Sequence, residues 1–299
     1  MASSIYLRNL SPKLRPALDL LRSTIAALPN GVGHVETVLN LGCGDGNMTR
    51  YLCDAFPHAS IHGIDASSQK IDAAKQGLSS VPGLKPRSVT FEVDTIENYV
   101  GLSPSSSTVP KYDVIFANSS LLWIPAHKRA EVVTNIVTNR LKCKGGVLAV
   151  QMPDTCRQAS HLLMEQAALR AGIIEQTFDI VNGHREQHDV MWYHRLLTPI
   201  CRDVDMWTTE YVHQLPHQGS AKQLFHPVLE YNQNKATGLL PYLTAIGGTK
   251  TDEGKQFIAE YNRLLSEAYP MTNVRNASYK TGKLLTLFPF KRFFLICQT

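Results

Sequence analysis

The sequence of 299 residues predicts an α/β protein with a doubly wound, mostly parallel sheet. Short apolar segments alternate with segments of helical periodicity through the first half of the chain. The predicted strands are residues 38–42, 60–64, 88–93, 112–117 and 146–151. The predicted helices are residues 11–28, 47–56, 67–79 and 128–141. Pro16 is expected near the start of the first helix, because proline fits the first turn.

The second half of the chain loses this regular alternation after residue 152. The elements predicted there are helical segments at 158–173 and 222–270 and strands at 204–215 and 284–297. Pro289 is expected to interrupt the last strand, because proline cannot donate to a ladder. The two late strands make the predicted sheet seven-stranded. We therefore expect one domain over residues 1–299, with a largely helical substrate cap inserted within 157–280.

Three glycines at alternate positions follow the first predicted strand, just before a helix. They are Gly42, Gly44 and Gly46. Glycine lets the backbone turn tightly and approach a ligand without an intervening side chain. A dinucleotide fingerprint, G-x-G-x-x-G, would require glycine at Asn47. The spacing therefore favours S-adenosyl-L-methionine (SAM) over a nicotinamide dinucleotide.

Polar side chains stand at the ends of the next predicted strands. Asp65 ends the second strand, where an acceptor-only carboxylate can hold both hydroxyls of a ribose. Asp94 follows the third strand and could accept from an adenine amino group, and Asn118 ends the fourth. Taken singly, each carboxylate also fits a helix cap or a loop. Together with the glycine turn, they predict a Rossmann-like fold that binds SAM at the carboxyl ends of its strands.

Charge and composition argue against several classes of protein. The net charge is +5, but the Lys and Arg residues are scattered and form no nucleic-acid stripe. This mild positive balance fits a small anionic substrate. The six cysteines form no C-x-x-C pair, which indicates reduced thiols, and the histidines show no metal-ligand spacing. No apolar run is long enough to span a bilayer. We therefore expect a cytoplasmic monomer or homodimer that binds no metal, nucleic acid or membrane.

Several longer segments match one family of enzymes. The most selective are Ile115–Trp123, Leu148–Asp154 and Thr237–Leu243. On these segments the chain resembles the trans-aconitate methyltransferase family of SAM-dependent O-methyltransferases. The resemblance implies methyl transfer from SAM to one carboxylate of a small di- or tricarboxylic acid, with trans-aconitate as first candidate. The products would be a monomethyl ester and S-adenosylhomocysteine. The cofactor-binding residues would be Asn40, Gly42, Gly44, Gly46, Asp65, Ala66, Asp94, Thr95 and Asn118.

Three positions depart from the pattern of that family. Asn40 replaces the acidic residue that usually precedes the glycine motif, so a charge near the methionine ammonium is missing. Leu240 stands where the family typically has an arginine, and Tyr231 replaces a tryptophan. The resemblance therefore constrains the cofactor more closely than the acid that accepts the methyl group.

A carboxylate substrate needs no general base, because it is already ionised at neutral pH. Catalysis is then expected from holding its oxygen in line with the methyl group and from removing the water around it. We expect no catalytic dyad, but hydrogen-bonding, aromatic and cationic side chains around the acid. The predicted substrate contacts are Tyr6, Arg15, Trp123, Gln151, His161, Tyr193 and Arg195.

Three other functions stay open on the sequence. A methyltransferase for another small molecule or a macromolecule would share the cofactor site. For nucleic acid, however, Ser119–Leu121 lacks the Pro-Pro-aromatic element that stacks a flipped base. A non-catalytic SAM-binding protein would fit the changes at Asn40 and Leu240. A nicotinamide-dependent dehydrogenase is disfavoured by Asn47.

Overall fold

The computed structural model describes residues 14–79, 88–101, 110–154, 158–181, 190–217, 225–233, 238–274 and 283–299. Its strands are β1 (Thr37–Leu41), β2 (Ser60–Asp65), β3 (Ser88–Val93), β4 (Val114–Asn118), β5 (Val147–Pro153), β6 (Asp203–Pro216), β7 (Met271–Val274) and β8 (Lys283–Gln298). Its α-helices are α1 (Arg15–Ala27), α2 (Asn47–Ala55), α3 (Ser68–Ser79), α4 (Ile96–Gly101), α5 (Ala126–Asn135), α6 (Ala159–Arg170), α7 (Val190–Leu197), α8 (Pro227–Gln233), α9 (Leu239–Ala245) and α10 (Asp252–Ala268).

The strands form one sheet in the order β3-β2-β1-β4-β5-β8-β6, and β7 pairs with β8. Strands β1 to β5 pair in parallel, and the strand order reverses between β1 and β4. Doubly wound sheets bind their ligands in the crevice at such a reversal. The doubly wound, mostly parallel arrangement is therefore confirmed.

Strand β7 adds an eighth strand to the seven that the sequence predicts. It pairs antiparallel with β8, with Met271 opposite Thr286. Its four residues are exposed or half-buried, so they carry no alternation of apolar and polar side chains. A strand this short leaves no periodic signal in a sequence, and the prediction placed it inside a helical insertion.

Burial explains the central elements. Strand β5 is buried along its whole length, as expected for a parallel strand covered on both faces.

Helix α1 has Pro16 in its first turn, where the sequence placed it. Helix α5 ends in a π-helical turn, Ile136–Arg140. The single helix predicted over 128–141 is therefore two pieces.

The chain divides into two compact units. The first comprises Met1–Met152, Asp189–Thr208 and Arg292–Thr299, and its core includes the buried side chains of β1, β4 and β5. The second comprises Pro153–His188 and Thr209–Lys291, and its own core includes side chains of α6, α8, α9 and α10. Over the described ranges, no helix combines the length and apolar character needed to cross a membrane. The substrate cap predicted within 157–280 stays a prediction.

Pro289 does not interrupt β8, contrary to the expectation from the sequence. The strand runs continuously from Lys283 to Gln298. The side-chain amide of Gln158 pairs with the backbone around the proline, because its Nε2 donates to the Pro289 carbonyl at 2.6 Å. Its Oε1 accepts from the Lys291 N–H at 3.0 Å. A buried glutamine from another segment thus takes the place of a strand neighbour.

Replacing Gln158 by leucine should lower the free energy of unfolding by about 1–3 kcal/mol, because a buried donor and a buried acceptor lose their partner. Urea unfolding followed by circular dichroism measures this change. Gln256, exposed on α10, offers the matched control, and Gln256→Leu should stay within about 0.5 kcal/mol of the parent. A Gln158→Leu protein as stable as its parent would refute this account of Pro289.

Candidate functional site

A cavity of about 720 Å³ lies at the carboxyl ends of β1, β2 and β4, and its lining residues all belong to the first unit. This volume is in the range of small-molecule sites. Of the nine predicted cofactor residues, all except Gly46 line it. The other lining residues are Leu14, Cys43, Asp45, Asn47, Met48, Ser67, Lys70, Ile96, Glu97, Ser119, Ser120, Trp123 and Ile124.

The three glycines of the turn after β1 have two different roles. All have positive φ, at +68° for Gly42, +58° for Gly44 and +81° for Gly46. A Cβ on Gly42 would lie 2.4 Å from the Cβ of Ser120, and one on Gly46 would lie 3.0 Å from the Cβ of Ala74. A Cβ on Gly44 would meet no described atom within 4 Å. Gly42 and Gly46 therefore permit close packing, and Gly44 leaves space open beside the cavity.

Asp65 ties the end of β2 to this glycine turn. Its Oδ2 accepts from the Gly44 N–H at 3.0 Å, and its Oδ1 accepts from the Ser67 N–H at 3.0 Å. A carboxylate oxygen can accept more than one hydrogen bond. Both oxygens therefore retain acceptor capacity for a pair of ligand hydroxyls, and the two internal bonds fix the carboxylate in place.

Asp94 continues this edge of the cavity one strand further. Its N–H donates to the Asp65 carbonyl at 3.2 Å. Its Oδ1 accepts from the Thr95 N–H and from Asn98 Nδ2, both at 2.8 Å. The side chain thus holds the start of α4 as well as lining the cavity. The helix-cap interpretation and the ligand interpretation of Asp94 are compatible.

The described wall of the cavity is acidic. Four carboxylates, Asp45, Asp65, Asp94 and Glu97, line it together with one ammonium group, that of Lys70. SAM carries a sulfonium, an ammonium and one carboxylate, so it is a net cation and matches this wall. A dinucleotide carries at least two negative phosphates, which the wall would repel. The glycine cradle, the fixed Asp65 carboxylate and the charge therefore all fit SAM.

Two asparagines also line the cavity. Asn40 is 2% exposed, and its Nδ2 donates to Thr49 Oγ1 at 3.1 Å. The internal bond to Thr49 stabilises an uncharged amide at this position. Asn118 ends β4 opposite Gln151 of β5.

Burial keeps two reactive-looking side chains protonated. Burial, and next the negative charge of Asp65, raise the pKa of the Cys43 thiol to about 12. Burial likewise raises the pKa of Tyr193 to about 12, although the nearby Arg129 charge lowers it. At neutral pH neither group is a nucleophile, and the Tyr193 hydroxyl has no hydrogen-bond partner among the described residues.

The predicted substrate contacts are dispersed. Trp123 lines the cavity. Gln151 is buried in β5, two residues before the strand ends at Pro153, Tyr193 is buried on α7, and Arg195 is exposed on α7. Arg15 is exposed on α1, with its Nε 3.7 Å from the Asp19 carboxylate. His161 is buried in the second unit, with Nδ1 3.3 Å from Ser160 Oγ. Tyr6 lies outside the described residues. Their role as substrate contacts stays a prediction.

Sequence reasoning missed several lining residues. Lys70 and Glu97 lie in the first turns of α3 and α4, directly after the strand-end residues Asp65 and Asp94. Ser119 and Ser120 follow Asn118. These residues could have been found by including the residues that directly follow each predicted strand end. Gly46, in contrast, was predicted to line the cavity and does not. Its spacing matches the motif, but it lies where α2 packs against α3.

Comparisons with known proteins agree with this geometry. A family model described as a methyltransferase domain matches residues 39–148. The chain is 32% identical to the trans-aconitate 2-methyltransferase of Escherichia coli, over 99% of this chain and 96% of that protein. The enzyme of that name from Escherichia fergusonii gives the same identity and coverage. The crystal structure of the YcgJ protein from Bacillus subtilis matches with a TM-score of 0.50 at 12% identity, over 94% of this chain and 98% of that one. This last match supports the fold.

Proposed function

The chain belongs to the trans-aconitate methyltransferase family of SAM-dependent enzymes, and from this premise we propose that it methylates one carboxylate of a small di- or tricarboxylic acid. Trans-aconitate is the first candidate. The observation that carries the proposal is the extent of the identity, which spans 99% of this chain and 96% of the Escherichia coli enzyme. The regions beyond the cofactor site therefore also have counterparts in an enzyme named for this acid.

In this proposal, residues around the cavity contact the ribose and the adenine of the cofactor. SAM supplies an electrophilic methyl group on a sulfonium. Asp65 would accept from the ribose hydroxyls, and its bonds to the Gly44 and Ser67 N–H groups keep it oriented. Gly44 leaves room beside the backbone, and Asp94 would accept from the adenine amino group. The acidic side chains offset the net positive charge of the ligand.

In this reaction the substrate carboxylate attacks in its ionised form without prior deprotonation, because its pKa lies well below neutral pH. One carboxylate oxygen forms the new bond to the methyl carbon, while the electron pair of the carbon–sulfur bond stays on sulfur. No proton moves, so the chain has to supply alignment and exclusion of water rather than a base. The exposed indole of Trp123, 59% accessible on the cavity wall, would cover the acid.

A methyl-transfer assay with labelled SAM, run against a panel of di- and tricarboxylic acids, tests this proposal. We expect turnover on trans-aconitate or a close analogue. The product should be a methyl ester, which treatment with base hydrolyses back to the acid. The fully methylated ester of the same acid is the matched control and should accept no label. Calorimetric SAM binding, run in parallel, separates the alternatives. Tight SAM binding without turnover on any acid would refute the carboxylate proposal and favour a macromolecular substrate or a non-catalytic SAM-binding protein.

We propose a cytoplasmic enzyme, monomeric or homodimeric, that does not act on nucleic acid. The cysteines that the structure describes are free thiols, which suits a reducing compartment. The scattered positive charges of the sequence support a small anionic substrate rather than a nucleic acid.

A further inference from the structure

One backbone position beside the cavity is strained. Ser119 has φ = +55° and is the one non-glycine residue with positive φ in the described ranges. A side chain makes this conformation unfavourable, and such outliers persist only where neighbouring structure enforces them. Ser119 follows the last residue of β4 and lines the cavity. The strain therefore lies at the site itself.

Gln151 supplies the constraint that holds Ser119 in place. The Ser119 N–H donates to the Gln151 carbonyl at 2.7 Å, which extends the β4–β5 pairing by one residue. The Ser119 hydroxyl donates to Gln151 Oε1 at 3.3 Å. Gln151 is 1% exposed and is not among the residues that line the cavity. Its side-chain oxygen and its carbonyl both contact Ser119 rather than the ligand space.

The turn at Ser119 determines the path of the next residues. Ser120 packs against Gly42 so closely that a Cβ on that glycine would lie 2.4 Å from the Ser120 Cβ. The Ser120 carbonyl accepts from the Trp123 N–H at 3.2 Å, within the 3-10 helix Leu121–Trp123. The segment from Ser119 to Trp123, which connects the glycine turn to the Trp123 side of the cavity, thus starts at the strained residue.

From this geometry we infer that Ser119 and Gln151 form a positioning pair that sets the cavity wall at Ser120 and Trp123 for methyl transfer. This inference rests on the proposed function and changes the role expected for Gln151. It becomes a positioning residue that acts through Ser119 instead of a substrate contact. Because the pair acts on the alignment of the acceptor acid, its loss should lower kcat. The affinity for SAM should stay unchanged, because Asp65 and the glycine turn hold the cofactor.

The test is a double-mutant cycle with Gln151→Met and Ser119→Gly. Each change removes the side-chain hydrogen bond, while glycine still permits the positive φ and keeps the backbone bond to Gln151. We expect kcat to fall at least tenfold in each single variant, with the Kd for SAM within threefold of the parent. The double variant should fall little further, since both changes remove one shared contact. The exposed residues Ser266 and Gln256 give matched controls, Ser266→Gly and Gln256→Met, that should keep the parent kcat.

A second readout needs no acceptor acid. In a background with Trp192→Phe and Trp207→Phe, Trp123 is the one tryptophan left, because the sequence has 3. Its fluorescence anisotropy should drop in Gln151→Met if the wall loses its fixed path. Unchanged anisotropy together with parent kcat would overturn the inference. A loss of kcat that is matched by an equal loss of SAM affinity would also overturn it, because the effect would then be general destabilisation. If no acid is methylated by the parent, the proposed function fails while the anisotropy still decides on the pair.

Discussion

Replacing Asp65 by alanine should weaken SAM binding at least tenfold. Each charge-assisted hydrogen bond from a ribose hydroxyl is worth about 1.5–3 kcal/mol, and about 1.4 kcal/mol already corresponds to tenfold in affinity. The variant also removes the acceptor for the Gly44 N–H, so the glycine turn loses the bond that fixes it beside the cavity. Both effects act in the same direction. Isothermal titration calorimetry with SAM measures the change directly.

Two further variants make the Asp65 prediction specific. Asp72→Ala removes an exposed carboxylate from α3, close in sequence and outside the cavity lining, and should leave SAM affinity unchanged. Asp65→Asn keeps the size and one acceptor oxygen but removes the charge, and its affinity should lie between those of the parent and the alanine variant. If Asp65→Ala bound SAM as the parent does, the ribose would have to lie elsewhere, and the ligand pose proposed for this cavity would be wrong.

Substituting Gly42 by alanine should destabilise the fold by about 2–6 kcal/mol. The positive φ costs about 1–3 kcal/mol for a residue with a side chain. Overpacking adds about 1–3 kcal/mol, because the new Cβ would lie 2.4 Å from the Cβ of Ser120. Urea unfolding of the variant, followed by circular dichroism, measures the loss. Under the same conditions, Gly77→Ala in helix α3 should be neutral or stabilising, because a Cβ there meets no described atom within 4 Å and alanine favours a helix.

Gly44→Ala separates folding from binding within the same motif. Its φ is also positive, but its Cβ would meet no described atom. We therefore expect a loss of about 1–3 kcal/mol in stability from the backbone conformation alone. The methyl group would occupy space beside the cavity, so SAM affinity should drop more than the stability does. Equal stability losses for Gly42→Ala and Gly44→Ala would contradict the close packing of Gly42 against Ser120.

The sequence was sufficient for the parallel half of the fold because each strand there has an apolar run, and two of the strands also end in a polar residue. Asp65 and Asn118 are the last residues of β2 and β4, as their positions after the apolar runs indicated. Strand β7 and the continuity of β8 through Pro289 could not be predicted in this way. Both depend on partners distant in the chain, since Gln158 lies 131 positions from Pro289.

In the candidate site, too, local sequence motifs were predictable and contacts between distant segments were not. A motif with fixed spacing identified the residues that touch the cavity through the backbone, such as Gly44. The spacing could not show that Gly46 packs against Ala74 instead, because this depends on how α2 and α3 meet. Gln151 was predicted to end its strand, but β5 continues to Pro153. Its contact with a strained serine just after the neighbouring strand is a feature of backbone conformation that residue types do not encode.

The acidic wall of the cavity has a consequence for turnover. Transfer of the methyl group converts a positively charged sulfonium into a neutral thioether, so the spent cofactor carries one positive charge less than the incoming one. The carboxylates of Asp45, Asp65, Asp94 and Glu97 are unchanged by the reaction. With SAM bound as proposed, the same wall would attract the product less than the reactant, and charge would favour the exchange of spent for fresh cofactor at the end of every cycle.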